Sequence, residues 1–360
     1  MSLLSFIIWD VNPDIIKIPF LDHPVRWYGM LWALGLIVGQ QIMYYIYKQE
    51  GNGREEVDKL TLYVIIGTLV GARFGHCIFY DPVYYFSNPI KFLYIWEGGL
   101  ASHGGGIGLF ISLYLFARKY KRKYLWILDR VAIITLLTGA FIRFGNFMNS
   151  EIIGIPTESG NGIVFVRPLA DILYQVDDKI ESVSFEKRAG ENEGSKVPIT
   201  LHIEYKKGAQ INALELERFV ERSVPHYLKS SYASKHFYYS DHEPLKYETK
   251  KDKGVQRAEI YIFGIARHPA QLYEAIACLI FFLIVAHLWY HNRSQLKNGF
   301  IFGVFMTLLW TERFFNEFLK ENQEAWEADL LINMGQILSI PMFVFGVVVL
   351  VISWGGENRI

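Results

Sequence analysis

Seven apolar runs, each near the length that crosses a bilayer, govern what this chain can fold into. They lie at about 27–47, 60–79, 105–117, 125–144, 272–289, 300–318 and 330–354. A hydrocarbon core of about 30 Å takes about 20 helical residues to cross. A helix also satisfies its own backbone polar groups inside lipid. The third run is short and reaches spanning length only with its flanking turns. The pattern predicts an all-α polytopic membrane protein of about seven transmembrane helices. The mean hydropathy of +0.17 is mild for such a protein because a polar block at 156–262 dilutes very apolar flanks. The chain thus divides into a first membrane part at 1–155, an inserted polar domain at 156–262, and a second membrane part at 263–360.

Charge in the loops sets an orientation. The densest basic cluster, RKYKRK at 118–123, belongs on the cytoplasmic side. Counting spans outward, Lys48, Arg54 and Lys59, then Arg293 and Lys297, then Arg359 fall on that same side. The opposite loops carry Asp81, Glu97, Glu321, Glu324, Glu327 and Asp329. The expectation is an N-terminus outside, a C-terminus inside and an extracytoplasmic inserted domain. Trp9, Trp27, Trp96, Tyr84 and Tyr85 suit an outer aromatic belt. Residues up to about 24, broken by Pro13, Pro19 and Pro24, read as a short amphipathic or loop segment. The opening MSLLSFIIWD lacks the basic start and cleavage site of a removable signal peptide.

Composition excludes some partners. The 36 Lys and Arg balance 36 Asp and Glu, so bulk charge points to no nucleic acid. Cys77 and Cys278 sit in apolar runs without metal or disulfide spacing and read as buried structural thiols. Glycines four apart, at 67, 71 and 75, at 35 and 39, and at 299 and 303, suit close helix packing in lipid. Arg73 lies among them and needs a partner. In the polar block, alternation over Ile180–Lys187, 197–205 and 257–263 predicts strands, and 212–223 has helical apolar spacing, which together give a small α+β domain. His226, His236 and His242 are too scattered there to form a zinc site.

Polar groups gather at one end of the apolar runs. GAFIRFGNFMNSEIIG at 139–154 holds Arg143 and Asn146, three apart and so on one helix face, followed by Asn149 and Glu151. Two readings stand: Arg143 snorkels to head groups or pairs with Glu151, or it is a fixed cation aimed at an anionic head group. HGGGIG at 103–108 puts His103 beside glycines that either expose backbone N–H groups to an anion or simply turn tightly. RHPAQLYE at 267–274 places Gln271 and Glu274 on one face. ERFFNE at 312–317 holds Arg313 and Glu317, four apart and able to pair. Tyr28 stands at the same end of the first run. The convergence of five segments argues for a lipid-accessible cavity suited to an anionic phospholipid. No serine or cysteine is placed as a nucleophile, so the attacking group belongs to a second substrate.

These segments, in this order, closely resemble the prolipoprotein diacylglyceryl transferases of the bacterial envelope. The matches are RWYGMLWALG at 26–35, GARFGH at 71–76, WEGGLASHGGGIG at 96–108, IRFGNFMNSEIIG at 142–154, RHPAQLYEA at 267–275, ERFFNEF at 312–318 and NMGQILSIPM at 333–342. The resemblance implies transfer of an sn-1,2-diacylglyceryl group from phosphatidylglycerol to the lipobox cysteine of a prolipoprotein, at the cytoplasmic (inner) membrane, with no cofactor or metal. It implies that Arg143 and Arg313 hold the phosphate, that His103 is the base for the thiol, and that Tyr28, Asn146, Glu151 and Gly154 complete the lipid site. Gln271, Tyr273 and Glu317 are counted with them as substrate-binding. Leu309 stands where relatives usually carry tyrosine, Ser150 where glycine is common, and most of 156–262 reads as an insertion. The competing class is a transporter for an anionic solute or lipid, which internal repeats would favour; none is seen in the sequence.

Overall fold

The computed structural model describes residues 6–17, 24–95, 98–240, 242–321 and 332–355. Trp96, Glu97, Glu324, Glu327, Asp329 and Arg359, used above for the aromatic belt and the orientation, lie outside the described residues. In chain order the helices are α1 (Trp27–Gln49), α2 (Arg54–Phe79), α3 (Pro82–Ser87), α4 (Ser102–Lys119), α5 (Tyr124–Met148), α6 (Arg167–Val176), α7 (Ala213–Arg218), α8 (Val224–Leu228), α9 (Ala270–Asn292), α10 (Phe300–Asn316) and α11 (Met334–Gly355). Among the described residues, most of each expected apolar run lies in one helix. Five helices among the described residues, α1, α2, α5, α9 and α11, are long and apolar enough to cross a membrane. Of the other two runs, α4 is 18 residues long and starts with glycines, and α10 has 17 residues.

The chain divides into two compact units. The first to consider is helical and comprises Trp32–Ile142, Ala275–Phe314 and Met334–Ile360. Its core gathers Met43, Ile46, Tyr47, Leu113, Phe116, Leu136 and Phe302, all buried. The glycine spacing does what the sequence suggests. A Cβ on Gly75 would lie 2.7 Å from the Gly104 Cα, and one on Gly71 2.7 Å from the Gly108 Cα. The backbones of α2 and α4 therefore touch, which only glycine permits. Gly104 and Gly105 are thus buried helical packing positions. The alternative of an open glycine loop does not hold, because α4 already begins at Ser102.

Arg73 finds carbonyls rather than a carboxylate. It is 2% exposed and donates to the backbone oxygens of Lys91, Phe92, Gly98 and Gly99 at 2.5–3.3 Å, with Tyr85 under its guanidinium. One side chain thereby satisfies most of its five N–H donors and pins the segment after α3 to α2. At the N-terminus of α10, the Asp129 carboxylate accepts from the backbone N–H groups of Gly299 and Phe302, both at 2.8 Å. This is a cap supplied by another helix, α5, and it meets donors that a helix start leaves open. Cys77 and Cys278 are both buried, as expected.

The second unit comprises Met1–Leu31, Arg143–Glu274 and Phe315–Asn333. Near its start, β1 (Phe6–Trp9) and β2 (Asp14–Ile16) precede β3 (Val25–Arg26) and β4 (Gly162–Phe165). β1 pairs in parallel with β4, and β2 pairs antiparallel with β3. Within the N-terminal segment, Phe6–Trp9 and Asp14–Ile16 are therefore strands, where an amphipathic or loop segment was expected. FIIW is too short for a stable helix but is β-branched and aromatic, and its partner lies far along the chain. The polar block folds as expected. Strands β5 (Ile180–Lys187), β6 (Lys196–Tyr205), β7 (Phe237–Tyr238), β8 (Lys246–Asp252) and β9 (Val255–Ile265) form one antiparallel sheet, ordered β5-β6-β9-β7, with β8 also on β9. Leu169 and Leu173 of α6, with Leu216 and Val220, close its apolar face over Val197, Ile199, Leu201 and Ile260. Asn212 and Glu215 form a reciprocal capping box that starts α7.

Candidate functional site

The signature segment leaves α5 at Met148 and turns sharply. Ser150 and Ile152 both adopt positive φ, 56° and 55°. That is the left-handed region, where glycine meets no penalty, and it explains why glycine suits position 150. The turn folds Glu151 back under the helix end. Asn146 Nδ2 donates to Glu151 Oε2 at 3.4 Å, and Asn149 Nδ2 to Oε1 at 3.2 Å. Gln271 Nε2 donates to the Glu151 backbone oxygen at 2.5 Å. Asn146, Glu151 and Gln271 therefore come together, as the sequence led us to expect.

Arg143 does not pair with Glu151. Its Nε lies 2.7 Å from Glu274 Oε2, and the Glu274 side chain is 4% exposed. Lys320 closes the group by pairing with Glu274 and, at 3.3 Å, with Glu317. Among the described residues, two cations face two carboxylates in this nearly dry cluster, and buried charges need such pairing. The same contacts correct a second expectation. Glu317 does not pair with Arg313, because α10 ends at Asn316 and Glu317 opens a 3₁₀ turn toward Lys320. The two Arg143 Nη groups have no acceptor among the described residues, and its side chain keeps 22% exposure.

Close backbone approach shapes the rest. Gly145 faces Tyr28, where a Cβ would stand 3.1 Å from the Tyr28 Cα. Gly154 donates its N–H to the His268 oxygen at 3.1 Å, and a Cβ there would reach the Leu319 oxygen at 2.7 Å. Gly154 is thus pinched between two strands of backbone. Arg267, 3% exposed, donates to Gly154 O at 2.9 Å, to Glu321 Oε2 at 2.7 Å and to Lys235 O at 2.7 Å. It ties the signature segment to the sheet. Tyr273 is partly exposed, with its hydroxyl 3.3 Å from His268 Nδ1. His103 and Arg313 belong to the helical unit. His103 is exposed on the first turn of α4, and the Arg313 guanidinium lies 5.9 Å from the Trp310 ring centre. Sequence reasoning missed Lys320 and Arg267 and left Glu274 outside the site. The only available signal was Lys320 standing three residues after Glu317.

A family model described as prolipoprotein diacylglyceryl transferase matches residues 13–352. The chain belongs to that family. Among its relatives named phosphatidylglycerol–prolipoprotein diacylglyceryl transferase, the protein of Tolumonas auensis is 35% identical over 347 residues, covering 96% of each chain. That of Porphyromonas gingivalis is 34% identical, covering 96% of this chain and 94% of its own. That of Bacteroides fragilis is 32% identical, covering 96% and 95%. With both chains covered so fully, these diacylglyceryl transferases carry a counterpart of the 156–262 block. The block is not an addition peculiar to this member of the family.

Proposed function

We propose that this transferase binds phosphatidylglycerol at the Arg143 cluster and passes its diacylglyceryl group to the lipobox cysteine of a prolipoprotein, the first step of lipoprotein maturation. The observation that carries the reading is the state of Arg143. Its Nε is tethered to a buried carboxylate, and its Nη groups find no protein acceptor among the described residues. A guanidinium oriented in this way suits a phosphate, which takes Arg in a planar, paired geometry.

In the reaction, the cysteine sulfur attacks the sn-3 carbon of the diacylglyceryl group. A carbon–sulfur bond forms, the carbon–oxygen bond to phosphate breaks, and glycerol 1-phosphate leaves with the electron pair. A thiol of pKa about 8.5 is a few per cent ionised at neutral pH, so a base is enough to supply the thiolate. His103 takes that proton, and Arg143 and Arg313 stabilise the charge growing on the phosphate. Asn146 and Gln271 hold Glu151 in place, while Tyr28, Gly154, Tyr273 and Glu317 shape the lipid's surroundings. The chain spans the inner membrane about seven times, with its N-terminus and site on the extracytoplasmic side, as the loop charges require.

The test is incubation of the purified chain with labelled phosphatidylglycerol and a lipobox peptide. A thioether-linked mass gain that depends on the peptide's cysteine is expected. Arg143→Ala lowers turnover by about 10²-fold or more while the protein still inserts. Undiminished turnover in that variant refutes the assigned role.

A further inference from the structure

A polar cavity of about 100 Å³ is lined by the signature turn. Asn149, Ser150 and Glu151 form one wall, Arg26 another, and the polar block supplies Arg167, Asp171 and Tyr232. The buried Asn149 Oδ1 and Ser150 Oγ have no hydrogen-bond partner among the described residues. Buried polar atoms left in this state are uncommon and call for a ligand or water. Both arginines are already engaged: Arg26 with Asp14 at 3.2 Å and Arg167 with Asp171 at 2.7 Å. The walls therefore carry two carboxylates, Glu151 and Asp171, against two guanidiniums that are both already paired. Such walls offer a phosphate no unpaired cation but suit neutral hydroxyls, which donate to carboxylates and accept from amides and guanidiniums. The volume takes on the order of three waters at roughly 30 Å³ each, or one three-carbon polyol. Burial also pushes the Asp171 carboxyl above the usual range, with Arg167 opposing it.

One lining group links the cavity to α5. Glu151, which lines it, is held by Asn146, three residues beyond Arg143 on α5. We infer that this cavity is a subsite for the glycerol of a phosphoglycerol, in which Asp171, Tyr232 and Asn149 read the hydroxyls while Arg143 holds the phosphate. The inference rests on the transferase reading above and gives the polar block a role: it supplies the residues that recognise the donor's head group. The glycerol is presented either by the intact lipid or by the glycerol 1-phosphate that leaves.

The experiment compares the full chain with Asp171→Asn and Tyr232→Phe in lipid–detergent micelles with a lipobox peptide. Donors are phosphatidylglycerol and phosphatidylethanol, whose head group has no diol. Losing a hydrogen bond to a charged group should lower the kcat/KM preference for phosphatidylglycerol about tenfold in Asp171→Asn, mainly through KM. Tyr232→Phe lowers it less, in the same direction. If the preference is unchanged but inhibition by added glycerol 1-phosphate weakens, the subsite serves the departing product. If both preference and inhibition are unchanged in variants that melt like the parent, the inference is overturned. Tyr232→Phe decides the matter if Asp171→Asn fails to fold. Absence of transfer from any donor by the parent chain defeats the transferase reading instead, and is read separately.

Discussion

Glu274→Gln is the sharpest test of the charge cluster. The substitution keeps shape and removes the carboxylate that pairs with both Arg143 and Lys320. Glu274 and Lys320 are each 4% exposed, so a Lys320 that loses this partner has little water to relax it. Breaking a buried pair on one side costs about 3–5 kcal/mol, and Glu317 remains beside Lys320 to offset part of that. We expect a loss of about 3 kcal/mol, read as a lower midpoint for unfolding by graded SDS in dodecyl maltoside micelles. Turnover should also fall by about 10²-fold, because the Arg143 Nε loses its tether and a displacement of about 1 Å in a substrate clamp is that costly. The double change Glu274→Gln with Lys320→Met removes one charge of each sign from the cluster. It should recover much of the stability while turnover stays low, since the tether is still missing. A Glu274→Gln protein with parental midpoint and parental turnover would show that the cluster neither supports the fold nor orients the guanidinium.

Other expectations follow from single contacts. Gly71→Ala puts a methyl 2.7 Å from the Gly108 Cα, so α2 and α4 must separate, and the unfolding midpoint should drop by about 1–3 kcal/mol. Arg73→Lys keeps the charge but cannot span four carbonyls in a plane; protease cleavage within 80–99 should rise, and unchanged cleavage would contradict the pinning role. His236 is buried in the sheet unit, and burial, then Arg267 and Lys235, hold its pKa down to about 3. Its ordinary value is near 6.5, so the folded state resists the proton that the unfolded chain accepts. Stability is full above about pH 6.5 and is lost as pH falls toward 3, by about 2 kcal/mol at pH 5. His236→Phe should flatten that slope in unfolding midpoints measured from pH 8 to 5.

The readable parts of this chain were those governed by local periodicity. Apolar runs became helices because 20 or so apolar residues have few other ways to satisfy their backbones. The strands at Ile180–Lys187 and around 197–205 declared themselves by alternation, and the glycines at 67, 71 and 75 by their interval. β1 escaped notice because its partner β4 lies more than a hundred residues away, and a tetrapeptide carries no period of its own.

The ionic partners were illegible for a related reason. Spacing along a helix nominates pairs such as Arg313 with Glu317, but that rule assumes the helix continues, and α10 stops at Asn316. Arg143 had Glu151 nearby in sequence, yet the turn through Ser150 and Ile152 gives Glu151 to the asparagines and leaves Arg143 to a residue on another helix, α9. Desolvation explains the choice. A guanidinium this little exposed gains most from a carboxylate that is itself dry, and Glu274 at 4% exposure is drier than the solvent-facing Glu151. A sequence reveals which residues carry charge; which charge ends up beside which is decided by what the fold takes out of water.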